Sequence, residues 1–141
     1  MITTLIAAAH APLDAFDNDR FLQAIMQVEG HKWSDPGGAY AIQPGTWRDH
    51  SKRTYALASI PIYARDVADR HIAWLSRTMR AHGYPVNAYT LAVCWRFGFV
   101  GFTQRARSGG GAIEYGERVW NLYNAVTPSS DKQQPSTTKQ P

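Results

Sequence analysis

The chain has 141 residues, enough for one domain with a real core, and 44% hydrophobic against 18% charged residues excludes a wholly disordered chain. A net charge of +4 favours an anionic partner, for which nucleic acid, a membrane surface and the bacterial envelope all qualify. The single cysteine, Cys94, excludes an internal disulfide, and within the apolar run LAVCW it reads as a buried thiol rather than a nucleophile.

The opening MITTLIAAAHA has a short apolar run without the positive n-region of a secretory signal, so it is expected to belong to the mature chain. No stretch approaches the roughly 20 apolar residues of a membrane span. Asp17 or Asn18 can cap a helix through Glu29, with Phe21, Leu22, Ile25 and Val28 at helical spacing and Gly30 as the stop. Residues 34–43, SDPGGAYAIQ, predict a turn and a short extended piece, at most a small hairpin. Pro44 opens a short helical turn, PGTWRDH.

A long helix is predicted from Ile60 to Ala81, capped by Ser59 and stopped by Gly83. Tyr63, Val67, Trp74, Leu75 and Met79 form its apolar stripe. Its arginines interleave with Asp66 and Asp69, the pattern of a solvated mixed-charge face rather than a nucleic-acid stripe. Asn87 caps the next helix, AYTLAVCWRFG, and a weaker helical piece covers 99–107. SGGG then breaks the chain before a last helix over 112–125, with Ile113, Val119, Leu122 and Tyr123 inward. From Thr127 the tail is polar and holds three prolines, so it is expected to be disordered. The fold class is mainly α, α+β at most, as one domain over residues 1–126.

Only three glutamates occur, Glu29, Glu114 and Glu117. Glu29 shares the stripe of Leu22 and Ile25 and ends its helix, so burial and the negative end of the helix dipole both disfavour its charged form. Those are the surroundings of a general acid. The alternative reading turns Glu29 outward or pairs it with Lys32 or an arginine. Glu114 and Glu117 suit the first turn of a solvated helix. The histidines lack HxxxH or HExxH spacing and no second thiol exists, so neither metal nor cofactor is expected.

Three pieces together carry a resemblance: QVEG followed by GGAYAIQPGTW, then LAVCWRFG, then EYGERVWNLY. In this order the chain, over about residues 19–124, resembles the lysozyme-like superfamily, above all the lytic transglycosylases and related bacterial and phage muramidases. The resemblance implies a lysozyme-like helical domain in which Glu29 ends the catalytic helix. Ile42, Pro44, Gly45, Thr46 and Trp47 match the end of the following loop, Trp95 and Gly98 the next helix, and Tyr115 the tyrosine of the last. Three positions depart from the family pattern: Gly30 stands for a serine, Ala41 for a glutamine with Gln43 two positions on, and Arg96 for an asparagine.

What the resemblance implies is cleavage of the bond between N-acetylmuramic acid and N-acetylglucosamine, with Glu29 as acid and base. Tyr40, Gln43, Trp47, Trp95, Arg96 and Tyr115 are the implied substrate-binding residues. Tyr115 is also placed to bond Glu29, and Arg96 faces either Glu29 or the groove. Asp35, in SDPGG, reads as turn chemistry rather than a second catalytic carboxylate. The expected partner is peptidoglycan, met by a monomer in the periplasm or at the cell wall, delivered by phage lysis, virion or dedicated export. A non-catalytic module that binds wall glycan stays open. An all-α nucleic-acid binder has only charge and aromatics behind it, so no nucleic acid is expected.

Overall fold

The computed structural model describes residues 16–109 and 113–125. Within them the chain is mainly α, without a strand. The opening segment, the tail from Thr127 and the predicted helix start at Ala112 lie outside the described residues.

Helix α1 spans Asn18–Glu29. Asp17 caps it by accepting the Arg20 N–H, and Gly30 ends it at φ 68°, donating its N–H to the Met26 carbonyl. That left-handed turn accounts for glycine at this position. Phe21, Leu22, Ala24 and Ile25 are buried. Of the short loop or small hairpin expected over 34–43, the structure forms the loop, a run of turns. Asp35 accepts the Lys32 N–H while the Gly38 N–H donates to the Asp35 carbonyl, so local turns consume the groups that a strand would pair. At Gly38, with φ +69°, a Cβ would stand 2.0 Å from the Ala58 carbonyl oxygen. The loop is therefore seated on the segment around Ala58.

Helix α2, Pro44–His50, starts on its proline and buries Trp47. A 3-10 turn over Tyr55–Ser59 follows, and α3 runs over Pro61–Ala81. Ser59 does not cap α3. Its hydroxyl donates to the Ala56 carbonyl within the 3-10 turn, and Ile60 is the residue before the helix. Ala64, Val67, Ala68, Ile72, Leu75 and Met79 make the buried stripe of α3. Trp74 falls outside it, 43% exposed. Arg65 bridges Asp69 on its own helix and Asp19 on α1, tying the two helices at their solvent edge.

Helix α4, Ala88–Arg107, begins with a capping box in which the Asn87 and Thr90 side chains each bond the other's backbone N–H. It breaks at Gly98 (φ 78°, ψ 165°), which joins the two helical pieces expected from the sequence. Cys94 is buried, and burial pushes its thiol up to about 12. Helix α5, Glu114–Ala125, lies across α4 and α1. Gly116 permits that approach, since a Cβ there would meet the Tyr89 ring at 2.8 Å. Val119 is fully buried beneath it. The Tyr123 hydroxyl accepts the Asp17 N–H, which closes α5 onto the start of α1.

Candidate functional site

Where α1 ends, the loop 31–43, the middle of α4 and the first turn of α5 enclose an open cavity of about 410 Å³. Glu29, Gln43, Trp95, Arg96 and Tyr115 all line it. Five of the seven residues expected at the site are thus brought together, from positions as far as 86 apart. Tyr40 and Trp47 are not among them. Both are core residues, 7% and 1% exposed, rather than groove wall. The Trp47 indole N–H donates to the Arg53 carbonyl at 2.7 Å, which holds the ring inward. The Tyr40 ring packs edge-on against Trp33. Burial, together with the charge of Asp69, raises its hydroxyl above the ordinary range against the opposing pull of Arg65. Tyr40 therefore contributes its backbone: its carbonyl accepts the Trp95 indole N–H at 3.0 Å.

Glu29 is half-buried at the end of α1. The Tyr115 hydroxyl donates to its Oε1 at 3.2 Å, the contact anticipated from the sequence. Burial first, and then the negative charge of Glu29, raises the Tyr115 phenol far above its ordinary range, so it stays a proton donor at any working pH. Arg96 and Arg118 act on Tyr115 in the opposite sense. Neither arginine forms an ion pair with Glu29 among the described residues. Arg96 is exposed, and its guanidinium lies 5.7 Å from the Phe97 ring centroid.

Arg118 and Tyr55 were not expected at the site. Arg118 follows Tyr115 by three residues, one helical turn along the same face of α5, a spacing that marks it as a neighbour. Tyr55 has no such signal. Its hydroxyl donates to the Ile42 carbonyl at 2.6 Å and pins the loop that carries Ala41 and Gln43. Ala41, which lines the cavity, holds φ 54°, a left-handed conformation that costs a non-glycine residue about 1–2 kcal/mol. Backbone strain of this kind persists only where surrounding contacts enforce it, and here Tyr55 and the Trp95 bond do so from either side.

Glu29 is the sole carboxylate lining the cavity among the described residues. Asp35 is engaged by the Lys32 N–H in its turn, and Glu114 and Glu117 are exposed on α5. Among the described residues no group of three His, Cys, Asp or Glu side chains is placed to hold a metal ion. The site can therefore donate and accept a proton at one carboxyl, offer hydrogen bonds from Gln43, and attract anionic groups through two arginines. Among the described residues, no helix is long and apolar enough to cross a membrane. No family model, curated protein or solved structure matches the chain.

Proposed function

We propose that the protein is a lysozyme-like enzyme that cleaves the glycan strands of peptidoglycan, with Glu29 as general acid and base. One observation carries this reading. The three sequence pieces that resemble the lytic transglycosylases, widely separated along the chain, line a single cavity with Glu29 at its edge and Tyr115 bonded to it. A glycan strand lies in the cavity with the oxygen between N-acetylmuramic acid and N-acetylglucosamine near Glu29. Protonated Glu29 donates to that oxygen, the glycosidic bond breaks, and positive charge develops at the muramic anomeric carbon.

With one carboxylate in the cavity, the substrate's own acetamido oxygen is the nucleophile that captures this charge. Ionised Glu29 then removes the proton of the sugar's primary hydroxyl, which closes an anhydro ring and restores the acid. Two-carboxylate hydrolysis would need a second acid group across the sugar, and none among the described residues lines this cavity. Arg96 and Arg118 pair with the lactyl or peptide carboxylates of the wall, a role that suits planar guanidinium groups.

The second reading is a non-catalytic module that binds wall glycan. It draws on Ala41 and Arg96, which stand where the family carries polar partners of the substrate. Incubation with purified sacculi separates the two. Release of soluble muropeptides by the wild type, lost in a folded Glu29→Gln variant, supports the enzyme. Binding without release supports the module.

A further inference from the structure

The α2–α3 side of the molecule carries a second concave surface, which shares no lining residue with the Glu29 cavity. Two depressions of about 510 and 590 Å³ adjoin there, with Asp49, His50 and Arg70 in common. One continues to Trp74 and Arg77, the other to Arg48, Lys52 and Arg53.

Along the sequence the charges of α3 look self-neutralised. In three dimensions Asp69 is taken by Arg65 and Asp66 by Arg70 at 3.2 Å. No acid among the described residues pairs with Arg48, Lys52 or Arg77, and all three are exposed. Two of these cations come from the α2 side and one from the second half of α3, so their convergence is invisible in the linear pattern.

Surface cations alone select no particular ligand. Trp74 narrows the choice. Its indole is 43% exposed and lines the depression. The His71 ring lies parallel to it, at 8° with centroids 6.1 Å apart, and His71 is itself held by a 3.1 Å bond to His50. A backed, half-exposed aromatic ring beside Arg77, with Arg48 and Lys52 in the adjoining depression and none of the three paired with an acid among the described residues, is a combination that holds a strand through base stacking and phosphate contacts. A phosphate polymer without bases would gain nothing from the ring. Arg70 and Arg77 are separated by about 10 Å along α3, which suits a strand that passes through rather than one cupped phosphate.

We propose that the α2–α3 cleft binds single-stranded nucleic acid, with a base stacked on Trp74 and with Arg48, Lys52, Arg70 and Arg77 on the flanking phosphates. This assigns the molecule a second activity, independent of the reading of Glu29 and contrary to what the sequence led us to expect.

The test is anisotropy of a labelled oligothymidine titrated with the full chain at several salt concentrations, with inorganic polyphosphate as competitor. Four phosphate contacts give a log–log salt slope of about −3 for a single strand. The Lys52→Ala/Arg77→Ala double variant should reduce that slope by about 1.4. Trp74→Ala should weaken binding about tenfold, and Trp74→Phe should restore most of it. Lys52 and Arg77 are exposed, so the double variant keeps the fold and stands as a test where Trp74→Ala does not fold. Absence of binding at low salt overturns the proposal. So does an unchanged slope in the double variant, or competition by polyphosphate as strong as that of the oligonucleotide with Trp74→Ala indifferent.

Discussion

The Glu29 cavity and the α2–α3 cleft stand back to back, joined by stacked and tilted rings that run from Trp95 through His71 to Trp74. They are built in opposite ways. Around Glu29, aromatic side chains place their polar tips on fixed acceptors: Tyr115 on the carboxylate, Trp95 on the Tyr40 carbonyl, Tyr55 on the Ile42 carbonyl. In the cleft, one half-exposed indole adjoins long exposed cations, of which Arg48, Lys52 and Arg77 have no acid partner among the described residues. The contrast separates the needs of bond-breaking from those of capture. A proton donor must be held to within a fraction of an ångström, whereas attraction of an anion tolerates mobile charges.

The strongest way to break the comparison is Glu29→Gln. It should lower muropeptide release by about a thousandfold, the range of a lost general acid, and leave nucleic-acid binding in the cleft unchanged. Next is Gly38→Ala, whose Cβ would strike the Ala58 carbonyl at a positive φ. Urea unfolding should show a loss of roughly 3 kcal/mol, because backbone on both sides of the contact must move.

The imidazole pair between the two regions gives a pH dependence. Burial, and then the neighbouring His50, lowers His71 to about 4, and burial also lowers His50 against the pull of Asp49. Arg70 and Arg77 push His50 down further. Below pH 6.5 the unfolded chain therefore binds protons that the folded one refuses, so stability falls as pH drops towards 4. The His71 contribution is about 2 kcal/mol once its partial exposure is discounted. Thermal melts across that window should fall more steeply for the wild type than for His71→Phe.

Tyr115→Phe removes one donor from the carboxylate and little volume. It should slow release about tenfold with the melting temperature nearly unchanged, which would confine its role to the site. The smallest effect expected is that of Ala41→Gly. Relief of the left-handed strain, offset by the greater freedom of glycine when unfolded, should stabilise by at most about 1 kcal/mol in the same urea assay.

Helix ends were the most legible part of the sequence, because their signals are local. Asp17, Gly30 and Asn87 do what their residue types allow, and Gly98 breaks α4 where the sequence divides AYTLAVCWRFG from the piece over 99–107. The Tyr115–Glu29 contact was legible only through the resemblance, since nothing local links residues 86 apart. Tyr40 and Trp47 are core rather than groove wall, and an aromatic residue in a turn or a two-turn helix suits either equally. The side each faces is set by contacts that the residue type does not announce: the Arg53 carbonyl and Tyr55 for Trp47, and Trp33 for Tyr40. Trp74 sits at the edge of the α3 stripe, where neighbouring helices stop covering it, and periodicity does not register that limit. The choice between loop and small hairpin over 34–43 has a local cause. Residues 34–43 hold only Tyr40 and Ile42 as strand-favouring side chains, and the turns at Asp35, Gly37 and Gly38 take the backbone bonds.

The central claim, that Glu29 serves as both acid and base without a second carboxylate, is tested most directly by the masses of fragments released from purified sacculi. The account predicts glycan fragments ending in anhydro-muramic acid, one water lighter than hydrolysis products. Fragments with ordinary reducing ends would contradict the one-carboxylate route, and no fragments at all from folded wild-type protein would contradict catalysis itself.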